Sequence, residues 1–242
     1  MNYEPVKGKS IAGRIRAVQK QIVAACQRVG RDPAGVTLIA VSKTFTWEEN
    51  LPAYEAGLRD FGENYIQDMI SKISRTSSYE DIRWHFIGHL QRNKVRYWNP
   101  GFYLFHCLDS LRLAKEIEKK AEREQMVIPV LLQVKLGDES TKSGVDPAAL
   151  PAFLEKIANF HRLKIEGLMT IPPYVVDPEE SRCYYKQLRE LRDDSIARGL
   201  VDPKVFCHLS MGMSHDYPVA VEEGATYVRV GSAIFGPRRQ RT

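Results

Sequence analysis

The sequence has 242 residues, of which 43% are hydrophobic, and its formal net charge at pH 7 is +5. This length supports one large buried core, and the charge is too low to favour a nucleic-acid-binding protein. The four widely spaced cysteines argue against a disulfide framework or a structural zinc site. The polar N-terminus lacks the apolar segment of a secretory signal, and no apolar run reaches membrane-spanning length, so we expect a soluble cytoplasmic protein.

Apolar segments with strand character alternate along the chain with segments of helical spacing. A helix is predicted over 11–30, and Thr46 and Glu49 have the spacing of a capping box at the start of a second helix. Eight strands are predicted, at 36–43, 60–64, 82–88, 104–109, 128–136, 163–171, 205–211 and 226–236. Eight such units in a chain of about 250 residues predict an α/β fold, a single (β/α)8 TIM-type barrel domain over residues 1–242. A doubly wound open sheet is the alternative.

The first predicted strand ends on Lys43. In (β/α)8 barrels the carboxyl ends of the strands form the active face, so Lys43 is predicted to lie on that face. A lysine at the end of a strand is more often a solvated surface charge. The alternative is a lysine held in a dry pocket, where desolvation favours the free amine that attacks aldehydes.

Two glycine-serine segments follow the last two predicted strands, "HLSMGMSHD" and "RVGSAIFG". Loops at these two positions commonly form a phosphate site in this fold. The glycines would let the backbone approach an anion closely, and three serines could donate hydroxyls, namely Ser210, Ser214 and Ser232. The alternative is that these glycines only close tight turns.

Arg229 lies between two valines in the last predicted strand, where burying a guanidinium is costly unless it is paired. Its partner is predicted to be either a carboxylate of a neighbouring element or a ligand atom. A reactive lysine together with a phosphate site indicates a phosphorylated carbonyl ligand. Pyridoxal 5′-phosphate and the sugar phosphate of a class I aldolase both fit.

His85 and His89 have an HxxxH spacing, but they lie on a strand end and a loop, and no glutamate follows the motif as in zinc peptidases. Hydrogen bonding to a neighbouring carbonyl is the simpler interpretation, and no metal site is predicted. His106 is expected to be structural.

Seven segments occurring in order resemble the pyridoxal phosphate homeostasis protein family, which is similar to the barrel domain of alanine racemase: "AVSKT", "FGENYIQD", "WHFIGHLQRNK", "TKSG", "GLMTIP", "LSMGMSHD" and "VRVGSAIFG". The resemblance implies pyridoxal 5′-phosphate as the cofactor, bound as a Schiff base on Lys43. It implies that Arg229 faces the pyridine nitrogen. The remaining implied pocket residues are Asn64, His85, Ser210, Met211, Gly231 and Ser232, with Ser210, Gly231 and Ser232 contacting the phosphate.

The family resemblance implies a monomeric, non-catalytic protein that buffers the cofactor and delivers it to apo-enzymes. An arginine at the pyridine nitrogen disfavours its protonation, so the ring is a poor electron sink. Alanine racemases carry a further β-domain with a catalytic tyrosine, and a chain ending at Thr242 leaves no room for it. Tyr65, Tyr174 and Tyr217 are interpreted as surface or packing residues. The alternative function is a pyridoxal phosphate enzyme such as a weak racemase.

One departure from the family pattern concerns the end of the fifth strand. Lys135 stands where the family more often has asparagine, which adds a positive charge near the predicted pocket. The loop that follows contains Lys142, a second amine that could reach over the barrel.

Overall fold

The computed structural model describes residues 10–137 and 143–237, and its eight parallel strands form a closed barrel. Each strand pairs with the next in chain order, and the last returns to the first, where Thr37 pairs with Tyr227 and Ala40 with Val230. The barrel prediction is therefore confirmed, and the open sheet is wrong. The strands are β1 Thr37–Val41, β2 Asp60–Glu63, β3 Arg83–Phe86, β4 Phe102–Leu108, β5 Ile128–Gln133, β6 Leu163–Met169, β7 His208–Met213 and β8 Tyr227–Val230.

Helices cover the outside of the barrel and bury the apolar strand faces between two layers. They are α1 Ile11–Arg28, α2 Trp47–Glu55, α3 Ile66–Arg75, α4 Leu111–Arg123, α5 Leu150–Ile157, α6 Arg182–Ala197, α7 Tyr217–Glu222 and α8 Ser232–Phe235. Between β3 and β4 the chain forms a 3₁₀ segment, Arg92–Tyr97, where the alternation of strands and helices would place an α-helix.

The predicted capping box at α2 is confirmed. Thr46 accepts a hydrogen bond from the backbone N–H of Glu49, and the Glu49 carboxylate accepts one from the backbone N–H of Thr46. This arrangement satisfies donors that a helix start leaves open. It therefore fixes the point at which the chain leaves β1 and Lys43 and enters α2.

The predicted eighth strand was too long. It ends at Val230, and its last segment turns at Gly231 into α8, where the N–H groups of Ile234 and Phe235 donate to the Gly231 carbonyl. Gly236 then ends α8 with a φ of 93°, in the left-handed region that glycine tolerates. The apolar "AIF" run resembled a continuing strand, but it forms a short helix at the barrel mouth.

In the described part of the chain, no helix is both long and apolar enough to cross a membrane. Cys26, Cys107, Cys183 and Cys207 are free thiols. The prediction of one domain over 1–242 stays a prediction, because it extends past the described ranges.

Candidate ligand-binding site

A cavity of about 290 Å³ opens at the carboxyl ends of the strands, which we call the mouth. Its volume is at the lower end of the roughly 300–1,000 Å³ typical of small-molecule sites. The lining comes from the ends of β1, β2, β3, β6, β7 and β8: Val41, Lys43, Phe45, Asn64, Ile87, Ile171, Tyr174, Met213, Ser214, His215, Arg229, Gly231, Ser232 and Gly236.

Lys43 reaches this cavity because β1 delivers it there. The Ser42 N–H donates to the Gly62 carbonyl at 3.0 Å, which extends the pairing of β1 with β2 to the residue before Lys43. Thr44 then adopts a φ of 71°, which is rare for a β-branched residue. This turn directs the chain away from the barrel axis toward α2, and Lys43 remains half-buried at the mouth.

A buried ionic cluster fixes the backbone just below Lys43. The Lys72 ammonium donates to the Glu63 carboxylate and, at 2.9 Å, to the Ser42 carbonyl. The Ser42 hydroxyl donates to Glu63 Oε1 at 2.5 Å. Burial raises the pKa of Glu63, against the opposing effects of Lys72 and Ser42. This cluster has no local sequence pattern by which it could be predicted, because its members lie 9 to 30 residues apart.

The two predicted glycine-serine segments do meet at the mouth. Ser214 accepts hydrogen bonds from the backbone N–H groups of Gly231, at 3.1 Å, and Ala233, at 3.3 Å. A Cβ on Gly231 would come within 3.3 Å of the Val41 Cβ, so glycine lets β8 close tightly against the strand that carries Lys43. The segments therefore place Ser214, Gly231 and Ser232 in the same cavity as the lysine.

Arg229 is almost fully buried beneath this cavity, with 4% of its surface exposed. Its Nη1 donates to Ser210 Oγ at 2.6 Å and its Nη2 to the Thr170 carbonyl at 2.8 Å. Burial lowers the pKa of the guanidinium. The predicted partner of Arg229 was either a carboxylate or a ligand atom. Neither of these two hydrogen bonds goes to a carboxylate, and Arg229 also lines the cavity.

Asn64 carries an open acceptor at the mouth. Its Oδ1 is buried and has no hydrogen-bond partner in the described residues. Gly88 allows this placement, because a Cβ there would come within 2.0 Å of the Asn64 carbonyl oxygen. A buried unpaired acceptor that lines a cavity is suited to receive a donor from a ligand.

Of the predicted cofactor-binding residues, Lys43, Asn64, Arg229, Gly231 and Ser232 line the cavity. Ser210 and Met211 are fully buried and do not line it, so the lining gives no support to their predicted contacts.

His85, which the resemblance also implies in the pocket, does not line the cavity. This residue is buried inside the barrel, where it is hydrogen-bonded to Asp60 and His106. His89 is exposed and paired with Asp109. Over the described ranges, no group of three or more histidine, cysteine or acidic side chains is placed to hold a metal.

The added charge of Lys135 does not lie in the cavity lining. The backbone N–H of Lys135 donates to the Val145 carbonyl at 3.0 Å, beside β5. Lys142 lies outside the described residues.

Two aromatic residues that were not predicted to line the cavity reach it. Tyr174 and His215 line it with their rings 5.5 Å apart, and His215 Nε2 lies 3.1 Å from the Val176 carbonyl. Tyr217, by contrast, is buried with its hydroxyl on Gln21, and Tyr65 lines a different cavity. The available signal for Tyr174 was its place in the loop after β6, at the active face.

Comparison with known proteins identifies similar chains over almost the full length. The family model of the alanine racemase N-terminal domain matches residues 14–239. A pyridoxal phosphate homeostasis protein from Aquifex aeolicus is 43% identical over 226 residues, which cover 93% of this chain and 97% of the relative. One from Pseudomonas aeruginosa is 40% identical over 229 residues, which cover 95% and 96%.

Solved structures show the same similarity. PipY from Synechococcus elongatus with PLP bound superposes with a TM-score of 0.82 at 35% identity, covering 94% of this chain and 100% of PipY. The structure of PipY without PLP gives a TM-score of 0.83. An alanine racemase from Clostridium difficile, 12% identical with a TM-score of 0.67, shares the fold.

Proposed function

The chain belongs to the family of pyridoxal phosphate homeostasis proteins, and from this premise we propose that it binds and buffers pyridoxal 5′-phosphate at the barrel mouth. The observation that carries the proposal is the convergence of an amine, a guanidinium and a glycine-serine loop on one cavity: Lys43, Arg229, and Ser214 with Gly231 and Ser232.

The donor set at the mouth fits such a cofactor. The cavity presents two cationic side chains, two serine hydroxyls and the backbone at the start of α8. A phosphate prefers cations and N–H or O–H donors, and an aldehyde prefers an amine. Among the described residues that line the cavity, Asn64 adds a buried acceptor without a hydrogen-bond partner, which is available to a ligand hydroxyl. An anionic aldehyde with a polar ring uses each of these groups.

Each residue then has one task. Lys43 would hold the cofactor through its amine, and Gly231, Ser232 and Ser214 would hold the phosphate. Arg229 donates toward the ring nitrogen and disfavours its protonation. Ser210 and Met211 act from below the cavity instead of through direct contact, since both are fully buried. When bound, the cofactor supplies an aldehyde and a conjugated ring that can delocalise electrons.

The finer proposal is that the protein is a non-catalytic carrier that passes the cofactor to apo-enzymes. Support comes from Arg229, because a ring held by a guanidinium is a weak electron sink for transamination or decarboxylation. A family name that denotes homeostasis also supports it. We propose that the chain works in this way as a cytoplasmic monomer.

A titration with transfer tests the proposal. Purified protein should take up pyridoxal 5′-phosphate in a one-to-one ratio and turn yellow, and the loaded protein should activate an apo-aminotransferase. Lys94→Ala, in the basic segment outside the cavity, is a matched control for Lys43→Ala and should bind like wild type. A colourless protein that takes up no cofactor contradicts binding. Activation that depends only on the free cofactor concentration contradicts delivery by contact and leaves buffering.

A weak racemase is the second candidate, and the position of Tyr174 favours it. Racemisation needs two acid/base groups, and the cavity places a phenol and an imidazole, Tyr174 and His215, together with the Lys43 amine. Incubation of the loaded protein with single enantiomers of amino acids should leave their chirality unchanged if the protein is a carrier. Loss of chirality that disappears in Tyr174→Phe would establish the enzyme.

A further inference from the structure

Five polar side chains form a continuous hydrogen-bonded chain through the interior of the barrel, and the proposed function uses only its upper end. We call it the interior relay; its members are Asp60, His85, His106, Ser210 and Arg229, from β2, β3, β4, β7 and β8. The link between His106 and Ser210 joins two strands that are not neighbours, so it crosses the barrel. All five side chains are buried.

The two ends of the relay together set its direction, because the guanidinium of Arg229 only donates and the carboxylate of Asp60 only accepts. A guanidinium has only donors, so the Ser210 hydroxyl accepts from Arg229 at 2.6 Å. The single hydroxyl proton is then free to donate to His106 Nδ1, which lies 2.8 Å away. A ring nitrogen that accepts is unprotonated, so a neutral His106 carries its proton on Nε2.

The same logic continues to the lower end. His106 Nε2 donates to His85 Nδ1 at 2.9 Å, which leaves the His85 proton on Nε2. That proton is donated to Asp60 Oδ1 at 3.0 Å. Burial lowers the pKa of both histidines, of His106 well below its usual value, and so favours the neutral form of each ring. Every donor in the relay thus points from the cavity toward Asp60.

Asp60 is the anion at which the relay ends. Burial alone would raise its pKa, but hydrogen bonds from His85 and Arg83 outweigh burial and hold the pKa below its usual value. Arg83 binds it with two bonds, at 2.7 Å and 2.6 Å, and is itself 44% exposed at the barrel end opposite the mouth. The relay therefore connects a buried aspartate, paired with the half-exposed Arg83 at one end of the barrel, to the buried guanidinium under the cavity.

The direct partners of Arg229, the Ser210 hydroxyl and the Thr170 carbonyl, are neutral. Asp216 acts on the guanidinium through space and is itself held by hydrogen bonds from the Met213 N–H and the Ser181 hydroxyl. A carboxylate in direct contact would occupy the guanidinium and neutralise it. A chain of neutral groups leaves donor capacity for a ligand.

We propose that Asp60 acts on Arg229 through the relay, and that His85, His106 and Ser210 transmit its effect to set the orientation and donor strength of the guanidinium toward the bound ligand. These four are positioning residues, since none of them lines the cavity. The effect on the ligand rests on the proposed binding of pyridoxal 5′-phosphate; the direction of the relay does not.

The direction is tested first, on protein without cofactor. Long-range ¹H–¹⁵N NMR of labelled protein reports the protonation of each imidazole nitrogen. We expect both His85 and His106 neutral at pH 7 with the proton on Nε2. A charged His85, or a proton on Nδ1 of either ring, reverses the donors and overturns the proposal. His89, exposed and paired with Asp109, serves as the internal reference for a solvent-exposed histidine.

Transmission is tested with variants of the lower end. Asp60→Asn removes the negative charge at the lower end of the relay, which three side chains separate from Arg229. Asp60→Glu keeps that charge. Asp109→Asn removes the carboxylate charge of the exposed pair with His89. We expect Asp60→Asn to shift the absorption maximum of the bound cofactor, and Asp60→Glu and Asp109→Asn to leave it at the wild-type position. Ser210→Ala, which interrupts the relay below Arg229, should shift it in the same direction as Asp60→Asn.

The outcomes separate the two proposals. A wild-type spectrum in both Asp60→Asn and Ser210→Ala contradicts transmission. If the wild-type protein takes up no cofactor, the proposed function fails, and the NMR result alone decides whether the relay has the proposed direction. If Asp60→Asn does not fold, Ser210→Ala decides transmission.

Discussion

Two buried cations lie below the mouth of the barrel, and they are neutralised in opposite ways. Lys72 contacts its carboxylate, Glu63, directly, whereas Arg229 contacts a hydroxyl and a carbonyl and reaches Asp60 only through three intervening side chains. The direct pair is self-contained, and it fixes the backbone that precedes Lys43. The indirect arrangement keeps a cation available at the cavity. The difference separates a structural charge from a ligand-directed one.

The largest effect on stability is expected from breaking the direct ion pair between Lys72 and Glu63. Glu63→Gln removes the carboxylate that the buried Lys72 contacts, and losing one partner of a buried pair typically costs about 3–5 kcal/mol of stability. Urea unfolding of the variant measures it. Glu48→Gln, which alters an exposed pair with Arg75, is the control and should leave the free energy of unfolding nearly unchanged.

Asp60→Asn should cost less stability than Glu63→Gln in the same experiment. Its closest cation, Arg83, is half-exposed and can be solvated when the charge is lost, and an asparagine carbonyl still accepts from His85. Equal losses would mean that the two carboxylates act alike and would contradict the contrast between the cations.

The next largest effect is expected in the dependence of the free energy of unfolding on pH. The pKa values of the buried His85 and His106 are lowered, so below about pH 6.5 the unfolded chain binds protons that the folded chain does not. Stability should therefore fall as the pH drops below that value, by at most about 1.4 kcal/mol per pH unit for each histidine. The raised pKa of Glu63 acts in the opposite direction, since a protonated carboxyl favours the folded state as the pH falls.

The slope of the unfolding free energy against pH isolates the contribution of His106. His106→Asn should give a smaller slope between pH 6.5 and pH 5 than wild type, whatever its absolute stability. An unchanged slope would indicate that His106 is charged in the folded protein, in conflict with the relay.

The smallest effect is expected at a residue that touches neither cation. Thr46→Ala removes the N-cap hydrogen bond of α2 and should cost about 1 kcal/mol. Because Thr46 does not line the cavity, the spectrum of bound cofactor should stay at its wild-type position. A spectral shift here would show that the start of α2 also controls the placement of Lys43.

The sequence predicted the barrel and the position of Lys43 well, because both follow from counting alternating segments. The cavity lining contains Ser214 and not Ser210, whose phosphate contact the family resemblance implies, and the difference has a physical reason. The strand was predicted to end at Met211 and ends at Met213, so the mouth lies two residues further along the chain. Ser210 therefore points into the interior relay, and Ser214 reaches the cavity.

The interior relay could not be predicted from the sequence. His106 and Ser210 are 104 residues apart, and they meet only because the barrel closes. Asp60 lies at the start of a strand, a position that suggests a solvated charge. Local patterns specify strands and helices, whereas contacts across the barrel depend on which side of each strand a residue faces.

Reductive trapping with peptide mapping tests most directly whether Lys43 holds the cofactor in this cavity. Protein loaded with pyridoxal 5′-phosphate is reduced with borohydride, digested, and analysed by mass spectrometry. We predict that the adduct is on the peptide that contains Lys43, that it is absent from Lys43→Ala, and that it is retained in Lys94→Ala. An adduct mainly on another lysine, such as Lys135 or Lys142, or one retained at the wild-type level in Lys43→Ala, would contradict the account.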